Sequence, residues 1–279
     1  MIQYPYMKVC TLNIEGRRHL EERVLPFLKS ENPDVVCLQE VFFADIPTLE
    51  FALGAKAQFA PMVNVETGMP SFDQPHGVLG VAILTRHPVR AVQHRYYAPA
   101  VALDDLQEFL VPRLKDDDFS PKSVDIPFEI PLFTHPNSMW RVLSSVDVEV
   151  QGEWYRVANT HFTWSEAGQF TTKQADDFRR LWTNIEDLGE VILTGDFNSP
   201  RGGEGDGQNP YDVLSDRMEA IIPADEITTL DSTLHRAGEL NLVVDGIFIT
   251  PTYESQEVRL ISAVSDHQAI VAEIEKRTY

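Results

Sequence analysis

Residues 191–198 read Val-Ile-Leu-Thr-Gly-Asp-Phe-Asn, and no other stretch of the chain is so restrictive. The β-rich apolar run reads as a strand, and it carries an acid and an amide, two residues apart, to its end. Side chains alternate along a strand, so Asp196 and Asn198 are expected to point the same way while Phe197 enters the packing. Such a pair suits a group that holds a water beside a group that holds a phosphate oxygen.

The same grammar recurs along the sequence. Residues 7–14, 35–41, 78–84, 141–150, 155–161 and 243–249 read as strands, and 268–274 as the strand that closes a sheet. Helical spacing of apolar residues is expected over 21–30, 46–53 and 170–188; in the last, Phe178, Leu181, Trp182 and Ile185 fall on one side. Strand and helix alternate early and paired strands dominate the middle, which predicts a mixed α/β class with layered sheets. With 279 residues, 43% of them hydrophobic, the chain is long enough for one sizeable core. A single domain over 1–279 is the simpler expectation. Residues 98–137 stand apart, rich in Pro and Asp with no clean period, and read as a surface excursion or a substrate-shaping lid.

Charge narrows the partners. The chain carries 23 Lys+Arg against 43 Asp+Glu, a formal charge of −20. That argues against a broad nucleic-acid footprint, because phosphate neutralisation needs Lys and Arg. A local basic cleft, or metal ions that reverse the sign inside a site, stay compatible with it. Cys10 and Cys37 sit in apolar strand-like runs without CxxC spacing and read as buried free thiols of a reducing compartment. No basic-then-apolar leader and no bilayer-length apolar run is visible, so a cytoplasmic protein without a membrane span is expected.

Several polar residues end these strands. Glu40 follows an apolar run and is flanked by Gln39; a carboxylate there binds Mg²⁺ through oxygen, or is simply a solvated edge residue. Asn13 and Glu15 end the first strand and read either as part of a site or as a turn signal before Gly16. His161 ends another strand, where a lone histidine is usually structural. Asp245 interrupts an apolar run and needs a donor. His267 can supply one, which would orient the ring and favour its cationic form. The glycine-rich stretch 201–207 lacks the Gly-Lys-Ser/Thr ending of a P-loop. The run 196–200 fails as a calcium loop because Pro200 and Arg201 fill the third acidic and glycine positions.

Six short motifs occur in one order: Thr11-Leu12-Asn13-Ile14-Glu15-Gly16, Leu38-Gln39-Glu40-Val41, Asn159-Thr160-His161, Gly195-Asp196-Phe197-Asn198, Val244-Asp245-Gly246-Ile247-Phe248 and Ser265-Asp266-His267. Together they resemble the endonuclease/exonuclease/phosphatase superfamily, the metal-dependent phosphoesterases related to DNase I, and the resemblance spans almost the whole chain. It implies a four-layer sandwich of two packed, mainly antiparallel β-sheets flanked by helices. It implies a Mg²⁺ or Mn²⁺ cofactor held by Glu40, with Asn13 and Glu15 nearby and Asp266 as a further ligand. Asp196 would orient or deprotonate the attacking water, Asn198 and His161 would hold phosphate oxygens, and Asp245 would orient His267 against the phosphate. The tyrosine that contacts phosphate in the apurinic endonuclease branch has no match, since Tyr96 and Tyr97 lack a supporting motif. His161 instead resembles the DNase I and phosphatase-like branches.

Arg141, His235 and Arg236 are further candidates for phosphate contact, with surface salt bridging as the alternative. Phe42, Phe43 and Trp164 read either as core or as the lining of a substrate cleft. The expected activity is hydrolysis of a small, lipid-derived or nucleotide-like phosphodiester or phosphomonoester by metal-assisted water attack. The alternatives are a DNA or RNA nuclease and a non-catalytic binding module on the same fold.

Overall fold

The computed structural model describes residues 6–66, 77–99, 130–203, 208–223 and 225–277. Among them the chain forms twelve strands in two six-stranded sheets. The first sheet comprises β1 (Met7–Asn13), β2 (Val35–Phe42), β3 (Lys56–Val65), β4 (Gly77–Thr85), β11 (Tyr253–Ile261) and β12 (Ala269–Lys276), in the order β11-β12-β1-β2-β4-β3. The second comprises β5 (Val89–Ala98), β6 (Arg141–Val150), β7 (Glu153–His161), β8 (Ile192–Asp196), β9 (Glu219–Ala220) and β10 (Asp245–Ile249), in the order β5-β6-β7-β8-β10-β9. Every pairing is antiparallel except β1 with β2 and β7 with β8.

A parallel pair needs a crossover, and each has one that carries a helix. Between β1 and β2 a π-helical turn, Leu20–Val24, runs into α1 (Leu25–Glu31). Between β7 and β8 lies α3 (Thr172–Leu188); its first turn is capped by Thr171 Oγ1, which accepts from the Gln174 amide at 3.1 Å. The shorter α2 (Ile46–Leu53) follows β2, and α4 (Pro210–Arg217) starts from the Asn209 cap with proline in its first turn.

Central strands read as unbroken apolar runs because both of their faces are covered. In β1, Met7 and Val9 join the core between the sheets while Cys10 and Leu12 pack outward; in β2, Val35 and Cys37 face inward and Val36 and Leu38 outward. The inner core is completed by Val146, Val157, Ile192 and Ile247 of the second sheet. Leu28 of α1 and Leu49 of α2 cover the outer face of the first sheet. Phe178, Leu181 and Ile185 of α3, with Tyr211 and Leu214 of α4, cover that of the second. The layers therefore run helix, sheet, sheet, helix, as expected. Cys10 and Cys37 are buried free thiols in opposite faces of one sheet. Burial pushes the Cys37 thiol up to about 12.

Some elements differ from the sequence reading. The helix expected at 21–30 is a π-helical turn followed by α1. β3, β5 and β11 carry no clean apolar run. All three are sheet edges, where polar residues and proline are used: Pro61 in β3, Arg90 and Arg95 in β5, Ser255 and Glu257 at a register shift in β11. Most of the excursion at 98–137 lies outside the described residues, as do 204–207 of the glycine-rich stretch. The end of the excursion is tied to the edge of β3, where Asn64 bonds through its backbone to Pro131 and Phe133. Among the described residues no helix is long and apolar enough to cross a membrane.

Candidate active site

The two parallel pairs end at the same edge of the sandwich. Asn13 and Glu40 arrive from β1 and β2, His161 and Asp196 from β7 and β8. β10 runs antiparallel to β8 and starts there, with Asp245 directly opposite Asp196 in the ladder. β12 runs antiparallel to β1, so the loop that precedes it delivers Asp266 and His267 to the same place. All of these side chains except Asp245 line one cleft of about 710 Å³, together with Glu15, Arg141, Asn198, His235 and Arg236.

Glu40 owes its direction to a defect in its strand. The pairing of β2 with β4 shifts register between Leu38 and Val41, and Glu40 has a left-handed backbone with φ of 55°. The bulge leaves ladder groups to be satisfied from elsewhere, and the other sheet does so. The Asn159 side-chain amide donates to the carbonyls of Leu38 at 2.9 Å and Ala82 at 3.1 Å. Gln39 Nε2 donates to Asn159 Oδ1 at 2.7 Å and to Thr11 Oγ1 at 3.1 Å. Gln39 and Asn159 stand inside the sequence motifs, but nothing in their local spacing reveals this bond between sheets.

Asn13 joins the two halves of the cleft. Its Nδ2 donates to Asp196 Oδ2 at 3.0 Å and to Glu40 Oε1 at 3.2 Å, and its oxygen accepts from the Glu15 amide. Asp196 is buried; its Oδ1 accepts from the Asn198 amide at 2.9 Å, and its Oδ2 lies 3.6 Å from His161 Nε2 and 3.9 Å from His267 Nε2. Asn198 does reach the cleft, but not by strand alternation. β8 stops at Asp196, and Asn198 sits in a left-handed turn with φ of 48°, its side chain donating to the Phe162 carbonyl. Phe197 packs against Phe248 and Tyr211 as a buried anchor for that turn.

His267 Nδ1 lies 2.8 Å from Asp245 Oδ2. Burial works against a charged imidazole, but Asp245, then Asp196 and Asp266, outweigh it and hold the His267 pKa well above the usual 6.5. His161 goes the other way: burial, reinforced by the nearby Arg141 guanidinium, lowers it to about 3, so its ring is neutral. Burial raises Asp196, yet the two imidazoles and the Asn198 and Asn13 donors prevail and bring it below 3.8.

The remaining candidates separate cleanly. Arg141 is neither a surface ion-pair partner nor a free phosphate clamp. It is 1% exposed and donates to the carbonyls of His161 at 3.2 Å and Pro136 at 2.6 Å. Arg236 donates to Glu15 Oε1 at 2.6 Å, and Arg18 holds the other Glu15 oxygen at 2.9 Å. Glu15 is thus neutralised by two guanidinium groups. His235 is half-buried, with its ring centre 6.5 Å from that of His267. Of the three aromatics, only Phe42 is core; Phe43 is 60% exposed, and Trp164 is 39% exposed and lines the cleft. Tyr96 and Tyr97 are spent on the Pro61 carbonyl and the Thr160 hydroxyl.

Two sets of residues bear on a cation. Asp196, Asp245 and His267 offer ligand atoms within 4.8 Å of one another, but the short His267–Asp245 bond already uses one atom of each. Glu40 and Asp266 are different: among the described residues neither forms an ion pair with lysine or arginine. Burial, then the neighbouring Asp266 charge, raises Glu40 to about 7. Oxygen donors with uncompensated negative charge are what a hard divalent ion requires, so the residues present fit one.

A sequence profile of the Endonuclease/Exonuclease/phosphatase family matches residues 10–267. A comparison with curated proteins returns no match. Among solved structures, the human Nocturnin catalytic domain with a bound sulfate anion aligns with a TM-score of 0.66 at 17% identity, over 99% of this chain and 95% of that one. A mannosyl-6-phosphatase from Bacteroides thetaiotaomicron aligns at 0.61 with 12% identity, over 96% and 99% of the two chains. TDP2 of D. rerio, complexed with a single-strand DNA product, aligns at 0.59 with 15% identity, over 97% and 99%. At these identities the likeness is one of fold.

Proposed function

Because this chain belongs to the endonuclease/exonuclease/phosphatase family, whose members hydrolyse phosphoester bonds, we propose that it is a divalent-metal-dependent phosphoester hydrolase acting by direct water attack. The observation that carries this reading is the setting of Asp196. One carboxylate oxygen is fixed by the Asn198 amide; the other faces Asn13, His161 and His267.

In the proposed reaction Asp196, ionised by its imidazole neighbours, takes a proton from water. The water oxygen bonds to phosphorus as the P–O bond to the alcohol breaks, and the departing alkoxide takes a proton from solvent water to give the free alcohol. His267, kept cationic by Asp245, donates to a nonbridging oxygen on which charge develops. The Asn198 side-chain amide and the neutral His161 ring supply further donors. Glu40 and Asp266 would hold Mg²⁺ or Mn²⁺, which when bound lends Lewis-acid stabilisation to the phosphoryl and leaving oxygens. Asn13 would space the Glu40 carboxylate from Asp196, and Glu15 is assigned to its arginine pair rather than to the cation.

The test is hydrolysis of p-nitrophenyl phosphate and bis(p-nitrophenyl) phosphate with Mg²⁺, with Mn²⁺ and with EDTA. Asp196→Asn and His267→Ala should each lower kcat by about 10²–10³, and EDTA should abolish turnover. Undiminished hydrolysis in both variants would refute the assignment.

A further inference from the structure

The lining of the cleft is of two kinds. Besides the polar cluster it has an apolar wall of Trp164, Leu240 and Leu242, to which the buried Phe133, Met139 and Leu230 add their edges. This wall is attached directly to the residues assigned to chemistry. Trp164 follows His161 by three positions, and Leu242 precedes Asp245 by three. Both stretches are pinned. The Trp164 carbonyl accepts from Asn137 Nδ2 at 3.0 Å, and Thr228 Oγ1 donates to the Leu240 carbonyl at 2.7 Å. Leu242 also lies beside Gly168, which packs against Pro200. The Trp164 indole is 39% exposed at this held position, so it offers the cleft a large apolar face.

The cations point the same way. Among the described lining residues the arginines are Arg141 and Arg236; the first is spent on carbonyls and the second on Glu15. A second phosphate next to the first would have to compete with those bonds, whereas an apolar group would cover the wall. We propose that this wall is a subsite for the organic part of the substrate, and that the substrate is a phosphate ester whose alcohol carries an apolar group. The proposal rests on the phosphoester reading above and goes on to choose its substrate class.

Alkylphosphonates test the subsite without turnover. Methyl-, propyl- and hexylphosphonate share one head group and differ only in the chain that the wall would cover. Titration calorimetry with Mg²⁺ should give affinities that rise by about threefold for each methylene buried. In Trp164→Ala, and separately in Leu240→Gln, the ratio of hexyl to methyl affinity should fall by about tenfold. Equal affinities across the series, or a ratio unchanged in both variants, overturns the subsite. Hydrolysis of p-nitrophenyl phosphate is measured alongside. A flat series in a protein that hydrolyses it removes the subsite and leaves the hydrolase; a steep series without hydrolysis keeps an apolar subsite and removes the hydrolase.

Discussion

At the scale of single residues, the cleft sorts its ionisable groups by environment. Asp245 and His267 form a buried pair in which the imidazole stays charged above its usual range, so on the proposed mechanism its loss would mark the alkaline limit of activity. Asp245→Asn removes the largest stabilising charge, lowers the His267 pKa and should move the alkaline limb of the kcat profile to lower pH, with a fall in kcat of about 10²-fold. A pH–rate series on both proteins checks this, and an unmoved limb would separate Asp245 from the imidazole. Glu40 behaves oppositely. It is protonated below about 7 in the metal-free protein, so a cation must displace that proton. Mg²⁺ affinity should therefore rise with pH up to about 7 and level off above it, as read by titration calorimetry in two buffers of different ionisation heat. The stability linkage has the matching sign. A carboxyl raised above its unfolded value of 4.5 favours the fold fully below 4.5, and that contribution is lost as pH rises through 7. The acids and histidines were legible from their strand-end motifs. The bond from Arg236 to Glu15 was not, because the two lie 221 positions apart.

Secondary-structure elements explain how those residues come to face one another. A bulge turns Glu40 out of its strand, and a carboxamide from the opposite sheet repairs the ladder behind it. Asn159→Ala would strand the Leu38 and Ala82 carbonyls and one Gln39 donor in a buried seam. The expected loss is about 3 kcal/mol of unfolding free energy, together with weaker Mg²⁺ binding as the bulge relaxes. Urea denaturation and metal titration measure the two effects, and full stability in the variant would refute the repair. At this scale the sequence was readable in the central strands, where both faces are apolar, and in α3, whose buried side repeats at helical spacing. It was opaque at β3, β5 and β11. Edge strands mix charges and proline to resist unwanted pairing, so they lack the period by which strands are recognised. Asn198 illustrates the same limit: alternation correctly sends it to the cleft, but a left-handed turn is what takes it there.

For the molecule as a whole, the two sheets follow one plan: a parallel pair with a helical crossover, flanked by antiparallel strands, with its functional ends at a common edge. The first sheet brings the acids assigned to a cation, and the second brings the groups assigned to water and phosphate. The whole chain carries a net charge of −20, and long polyanions should be repelled. At about 0.15 M salt the protein should not retain duplex or single-stranded DNA in a mobility-shift assay, because counterion release needs many lysine and arginine contacts. Tight binding that weakens steeply with added salt would contradict this and favour a nuclease. Layering and class were legible from the order of strands and helices. The seam between sheets was not, since Gln39 and Asn159 stand 120 residues apart. The hydrogen bond from Asn13 to Asp196 spans 183 residues, and His267 comes 71 positions after Asp196. Timing follows from that distance. During synthesis, Glu40 emerges long before the residues assigned as base and imidazole, and Asp266 only just ahead of His267. On the proposed mechanism, a growing chain could not act on phosphate esters until His267 has left the ribosome and both sheets have closed.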